Sequence, residues 1–135
     1  MSQLAKRSTG SLRREWRLFD RDHAKPETFL KLCERMIEVG EFLLAHDVAR
    51  AGLSTYSNHK ALAQRAAHAL CKAGSPLTAT HILEELVSTG VNDVETQSLL
   101  ASAYKDLCEN TTDNAKKQDY ADLAIARYEQ AYLGR

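Results

Sequence analysis

Cysteines and histidines are the residues of this chain that could carry out nucleophilic or metal chemistry, and it has three of the first and five of the second. A cysteine beside a histidine can become an activated thiolate, and Cys/His sets at fixed spacing bind zinc. His68 and Cys71 are three residues apart, so on a helix they are neighbours on one surface. They are the strongest candidates for such a site, and a metal site would also need His81 to converge with them.

The surrounding sequence does not supply the rest of a reaction centre. It contains no HExxH, CxxC or GxSxG motif and no glycine-rich phosphate loop. An odd number of cysteines, 38 and 37 residues apart, is typical of reduced packing residues. We therefore expect no catalytic residue, no cofactor, no metal and no enzymatic activity. A small helical enzyme, or a metal or thiol site that uses His68 and Cys71, is the alternative.

The elements that position these residues are predicted to be helices. Ala and Leu are abundant, there are only two prolines, and most glycines fall at apparent helix ends. With 135 residues and 44% apolar residues, the chain is long enough for one domain with a buried core.

Charge and hydropathy exclude several function classes. The 18 basic and 18 acidic residues balance, so no global field is directed at nucleic acid or a membrane surface. No stretch is apolar enough for a signal peptide or a membrane span, and we expect a cytoplasmic protein. Residues 1–25 are locally basic, with seven Lys/Arg against three acids. Nucleic-acid binding through this basic N-terminal arm is a second alternative, although we expect a solvated arm.

A 34-residue period organises the chain. Cys33, Ala67 and Ala101 follow one another at this interval, and Gly40 and Gly74 are separated by the same step. This spacing is similar to that of the tetratricopeptide repeat, a helical hairpin in which small residues stand where two helices cross. The first helices of the repeats would carry Cys33, Ala67 and Ala101 at these crossings. The second helices would carry Ala45, Ala79 and Ala124.

The predicted fold class is therefore all-α: a solenoid of antiparallel helix pairs that resembles a tetratricopeptide superhelix, with about three repeats plus an N-terminal helix. Gly74-Ser75-Pro76 is typical of a helix end followed by a new helix start. The predicted segments are a flexible arm at 1–10 and a single domain at 11–135, which contains a first helix at 11–22 and repeats at 26–57, 58–91 and 93–133.

The third repeat is longer than the others. The small residues of its two helices are 23 positions apart, whereas the equivalent pairs before it are 12 apart. The difference of 11 residues predicts a polar insertion at 109–119, which lengthens the connection between the two helices or the helices themselves. Its Thr and Asn residues indicate a surface loop, with Asp113 available to cap the next helix.

Residues 94–132 also carry a more specific pattern, in which an E-T-x-x-L-L-x-x-x-Y-K-D segment precedes a polar insert and an A-I-x-x-Y helix. This pattern resembles the tetratricopeptide region of the TRAF-binding domain of apoptosis signal-regulating kinases and related bacterial proteins. The resemblance implies regulatory protein–protein contacts and transfers no catalytic residue. The matching positions are Glu95, Thr96, Leu99, Leu100, Tyr104, Lys105, Asp106, Ala124, Ile125 and Tyr128.

The concave face of such a superhelix is lined by first helices and is the expected binding groove. It is acidic at one end, so we expect a basic or amphipathic peptide or helical segment as ligand. The predicted groove residues are Glu27, Leu30, Glu34, Ile37, Glu38, Gln64, His68, Cys71, Lys72, Ser98, Ser102, Lys105 and Asp106.

The last helix carries an apolar stripe made of Ile125, Tyr128, Tyr132 and Leu133. A solenoid needs a polar outer face on its terminal helix, so this stripe predicts an interface through residues 120–133, either for self-association as a homo-oligomer or for docking to another chain. Taken together, the sequence predicts a non-catalytic interaction or scaffold module that binds an unidentified protein or peptide partner, without a membrane and without nucleic acid.

Overall fold

The computed structural model describes residues 2–133, with side chains from residue 10 onward. Over this range the protein has seven α-helices and no strand, which confirms the predicted all-α, tetratricopeptide-like fold class. The helices are α1 (Ser2–Arg17), α2 (Pro26–Glu38), α3 (Phe42–Thr55), α4 (Lys60–Lys72), α5 (Pro76–Ser88), α6 (Val94–Asn110) and α7 (Asn114–Leu133).

The chain forms two compact units, residues 1–69 and 70–135, and the boundary lies within α4. In unit 1, α2 packs against α3 and α1 packs against α2. In unit 2, α5 packs against α6 and α6 packs against α7. The predicted repeats 26–57, 58–91 and 93–133 contain α2 with α3, α4 with α5, and α6 with α7 in turn.

The small residues that recur through the repeats are buried. Cys33, Ala45, Ala67, Ala79 and Ala101 have no exposed surface, and Ala124 is 9% exposed. Backbones can approach closely only where side chains are short, so these positions fit the role that their spacing predicts. Most of the large residues beside them are buried as well, including Phe29, Leu32, Met36, Leu83 and Leu100.

Three glycines end helices in the same way. Gly40, Gly74 and Gly90 have φ of 84°, 90° and 101°, the left-handed region that other residues adopt at a cost. The amide after each glycine donates to a carbonyl five residues earlier, as in Glu41 to Met36 at 2.8 Å. This geometry satisfies carbonyls that the helix end leaves free, and it stops α2, α4 and α5 at defined points.

Helix starts follow the predicted pattern with one difference. Asp93 caps α6 by accepting from the amide of Thr96 at 2.9 Å. Asp113 caps α7 by accepting from the amides of Ala115 and Lys116. Ser75 occupies the cap position of α5 but makes no capping hydrogen bond, and Pro76 opens that helix.

The N-terminal segment differs from the prediction of a flexible arm followed by a helix at 11–22. The backbone of residues 2–17 is one helix, although the run of Ser, Thr, Gly and Ser at 8–11 has low helix propensity. Met1 lies outside the described residues. Trp16 is 7% exposed, and its ring lies 5.5 Å from that of Phe19, which packs in turn on Phe29 at 4.8 Å. These rings join the N-terminal segment to the first helix pair.

The polar insertion mainly lengthens the two helices, and only a short part of it forms a surface connection. Residues 109–110 extend α6 and residues 114–119 open α7, which leaves a connection of only residues 111–113. Lys117 Nζ also donates to the carbonyl of Cys108 at 2.9 Å, so the new first turn of α7 satisfies the end of α6. The insertion therefore makes a longer hairpin, whose helices have 17 and 20 residues.

Candidate functional site

The predicted groove residues of α2 form a continuous acidic ridge. Glu27, Glu34 and Glu38 are exposed, and spacings of seven and four residues place them along one side of the helix. Leu30 and Ile37 lie half-buried beside them. We call these five residues the α2 ridge.

The charge of the α2 ridge is not neutralised within the part of the chain whose side chains are described. None of its three glutamates forms an ion pair there. Lys31 is an exposed cation on the same side of α2, and Arg35 is directed to Glu15 of α1 at 3.3 Å. Three carboxylates and one ammonium leave the surface net negative, with apolar atoms exposed along one edge.

The groove residues predicted on α4 differ from one another in how deeply they are buried. Gln64 is only 6% exposed, so its assignment to an open groove is wrong. The repeat register places it on the inner surface, but its side chain is buried. His68 is half-buried, and its Nδ1 lies 3.1 Å from Nη1 of Arg65. Cys71 is half-buried and Lys72 is exposed.

The thiols of Cys33 and Cys71 are poorly suited to nucleophilic chemistry. Burial raises the pKa of Cys71 to about 11, and the charge of Asp106 acts in the same direction while Lys72 opposes it. Burial likewise raises the pKa of Cys33 to about 12. A nucleophilic cysteine needs a lowered pKa, because the thiolate is the reactive form. These surroundings favour neutral packing thiols over the alternative of a thiol site at His68 and Cys71.

Metal chemistry finds no support in the described residues either. Across residues 10–133, no three His, Cys, Asp or Glu side chains are grouped so that they could hold a metal ion. The predicted groove residues of α6 are polar: Ser98 and Asp106 are half-buried, and Ser102 and Lys105 are exposed. These side chains offer hydrogen-bonding and charged groups for a ligand.

The predicted C-terminal interface is exposed. The exposed fractions of Ile125, Tyr128, Tyr132 and Leu133 are 57%, 46%, 61% and 80%. The rings of Tyr128 and Tyr132 stack at 5.8 Å with an angle of 2° between their planes. The repeat pattern also predicts that Tyr128 fills space beside the small residues of the third repeat, and its exposure shows that this packing role is wrong.

Part of the basic N-terminal charge is already paired within unit 1. Arg13 forms an ion pair with Glu41, and Glu15 pairs with Arg35. Arg21 lies over the ring of Trp16, with 3.9 Å between the guanidinium carbon and the ring centroid. These contacts leave Arg14 and Arg17 as the exposed basic residues of α1 without an ion pair among the described side chains.

Sequence reasoning missed a polar network in unit 2. Arg127 of α7 pairs with Glu84 of α5 at 2.5 Å and donates to Oε1 of Gln97 at 3.3 Å. Tyr104 of α6 donates to the other carboxylate oxygen of Glu84 at 2.5 Å. Gln97 also donates to Asn92 at 2.6 Å. The one indication of this network in the sequence was Gln97, a polar residue at the position where the tetratricopeptide pattern usually opens with an aromatic residue.

Comparison of the sequence with models of known protein families agrees with the helical-repeat architecture. A family model described as Tetratricopeptide Repeats-Sensor (TPR-S) matches residues 30–135. This range contains all but the first helix and the start of the second. The chain belongs to the TPR-S family. Tetratricopeptide repeats generally mediate protein–protein interaction and are typically non-catalytic. No curated protein and no solved structure matches the chain.

Membership of TPR-S leaves the finer predictions open. The resemblance to the TRAF-binding domain of apoptosis signal-regulating kinases stays a prediction, as do the cytoplasmic location and the oligomer. None of the helices in residues 2–133 combines the length and apolar character needed to cross a membrane.

Proposed function

We propose that this TPR-S chain is a non-catalytic interaction module that recognises a basic amphipathic peptide or helix on the α2 ridge. The observation that carries the proposal is the line of three exposed, unpaired glutamates beside Leu30 and Ile37. A ligand with Lys or Arg on one side and apolar residues next to them complements both parts of this surface.

The energetics of the ridge favour recognition of such a ligand over a role in stability. Exposed like charges along one helix face repel one another and destabilise the helix slightly, by about 0.2–0.5 kcal/mol for each pair at helical spacing. Their repulsion is relieved when a cationic partner binds. The word sensor in the family description fits this arrangement, since binding of a partner is the step that a non-catalytic sensor requires.

Two further parts of the proposal rest on the sequence. The first is that the groove residues of α4 and α6 other than Gln64 also contact the ligand, which stays a prediction because the contribution of each to binding depends on the ligand. We also propose that copies of the chain associate through the exposed residues of α7. A cytoplasmic setting suits reduced, buried thiols such as that of Cys33.

A fluorescent peptide of leucines and lysines at helical spacing is the probe for the α2 ridge. We expect fluorescence anisotropy to show binding that weakens as salt is raised, because exposed charges are screened. Changing Glu34→Lys together with Glu38→Lys should weaken binding about tenfold or more, equal to about 1.4 kcal/mol.

The matched control is Glu85→Lys, which reverses an exposed glutamate of α5 in the other unit. It should leave peptide affinity unchanged. A peptide with the same leucines and with glutamate in place of lysine should not bind. Equal losses in the ridge and control variants, or no binding of the lysine peptide, would contradict the proposal.

A further inference from the structure

Two exposed patches with opposite charge stand out beyond the α2 ridge. The first is the α7 stripe, made of Ala121, Ile125, Tyr128 and Tyr132, whose spacings of four, three and four residues follow one face of the helix. The second is the Leu18 cluster, made of Arg14, Arg17 and Leu18 at the end of α1. Leu18 is 78% exposed, more than any other large apolar residue described except Leu133.

The α7 stripe is bordered by acids. Asp122 and Glu129 are exposed, and each follows a stripe residue directly, so both lie along the same side. Arg127, the basic residue of this part of α7, is already paired with Glu84. The stripe therefore offers apolar atoms beside unneutralised carboxylates.

The Leu18 cluster has the complementary character. The amide of Leu18 donates to the carbonyl of Arg14 at 3.1 Å, which continues the last turn of α1 and keeps the two side chains on one face. Arg21 is held by its stacking on Trp16. Asp20 is engaged by His23 at 3.0 Å, and Asp22 is the exposed carboxylate of this segment without an ion pair. Arg14 shares the helix face of Leu18 and Arg17 precedes it directly, so two exposed cationic side chains border this exposed apolar residue.

We propose that the α7 stripe of one copy docks on the Leu18 cluster of a second copy, so that copies associate head to tail. This inference deepens the proposed self-association through α7 and rests on it. Apolar contact between Leu18 and the residues around Ile125 supplies the burial, and the arginines face Asp122 and Glu129.

Charge argues against the symmetric alternative. If two α7 stripes met in an antiparallel pair, the flank with Asp122 and Glu129 would face the same flank of the other copy, and like charges would repel. Two Leu18 clusters would repel in the same way. A heterologous contact joins the opposite charges and leaves one free patch of each kind at the ends.

Sedimentation velocity of the whole chain and two variants tests the arrangement. Leu18→Glu removes one patch, and Ile125→Lys removes the other. We expect the wild type to form larger species as its concentration rises, more so in about 50 mM salt than in about 500 mM salt. Each variant alone should be monomeric, and an equimolar mixture should form a species of two chains, because one intact patch of each kind remains.

Matched controls change exposed leucines elsewhere: Leu43→Glu in α3 and Leu77→Lys in α5, which are 67% and 50% exposed in the wild type. Both should assemble as the wild type does, and circular dichroism should show equal helicity in all variants. A mixture that stays monomeric while the wild type assembles overturns the head-to-tail arrangement. Assembly of Leu18→Glu alone overturns it too but leaves association through α7 standing, whereas a monomeric wild type overturns both.

Discussion

The two units are built from the same kind of helix pair but are held together by different contacts. In unit 1, besides two ion pairs, the helices meet through a chain of aromatic rings made of Trp16, Phe19, Phe29 and Tyr56, with 6.4 Å between the last two. The helical Gly52 is buried where α3 meets α2 and α4. In unit 2 the polar network of Glu84, Gln97, Tyr104 and Arg127 joins three helices.

The difference shows that a repeat period constrains where small residues stand but not how the space between helices is filled. A unit packed through aromatic rings should lose little stability when a polar contact is removed, but it should lose much when a substitution adds atoms to its core. A half-buried ion pair tolerates small changes in volume better than the loss of one partner, because the remaining charge is then left without compensation. The two units should therefore respond differently to the same class of substitution.

The largest expected effect is overpacking at Gly52 in unit 1. A Cβ at this position would lie 2.9 Å from Cδ1 of Leu62 and 3.1 Å from Cβ and Cγ of Phe29. Leu62 can turn its end away, but the Phe29 ring is fixed among other aromatic side chains. Gly52→Val should lower the free energy of unfolding by about 3 kcal/mol, as measured by urea denaturation.

Gly10→Val is the matched control, because Gly10 is also helical and a Cβ added to it would meet no atom within 4 Å. Valine and glycine differ little in helix propensity, so the change should stay within about 0.5 kcal/mol. Similar losses at both glycines would mean that backbone propensity, and not the contact with Phe29, decides the outcome.

The next effect separates the ion pairs of the two units. Arg127→Met leaves Glu84 without its guanidinium in a half-buried position, and we expect a loss of about 2 kcal/mol in the free energy of unfolding. Arg13→Met breaks the pair with Glu41 in unit 1, where the arginine side chain is 57% exposed. That loss should be below about 0.5 kcal/mol. Equal losses of unfolding free energy in Arg127→Met and Arg13→Met would show that the Arg127–Glu84 pair contributes no more than an exposed ion pair does.

The contrast between the units also marks what the sequence could predict. The buried positions of Cys33, Ala67 and Ala101 follow from spacing alone, since a crossing of helices needs a short side chain at a fixed register. The charge of the α2 ridge could be predicted because each glutamate stands on one helix. The helical insertion was harder to predict, because a polar run is compatible with a loop and with an exposed helix.

Contacts between distant residues could not be predicted in this way. Glu84 and Arg127 are 43 residues apart, and many other acids and bases could have paired with each. Gly52 stands inside a helix, where a glycine indicates weak propensity rather than a close approach. Gln64 shares its register with groove residues, and only its burial in the folded chain distinguishes it from them.

The smallest expected effect tests whether the hydroxyl of Tyr104 belongs to the network. Burial raises the pKa of Tyr104 above its usual range, and its hydrogen bond to Glu84 raises it further. The folded protein thus holds this proton more tightly than the unfolded chain does. The resulting stability is present below pH about 10, the ordinary tyrosine value, and is lost as the pH rises above it.

Tyr104→Phe should cost about 1 kcal/mol at neutral pH, because Glu84 loses a donor. Above pH about 10 its stability should fall less steeply than that of the wild type. The thiols of Cys33 and Cys71 also make the free energy of unfolding fall as the pH rises, since burial raises the pKa of each thiol. This contribution is the same in the wild type and in Tyr104→Phe. Tyr128→Phe, at an exposed ring, should follow the wild-type curve. If the Tyr104→Phe curve runs parallel to that of the wild type, the hydroxyl titrates alike in the folded and unfolded chains, and the network of unit 2 consists of Arg127, Glu84 and Gln97 alone.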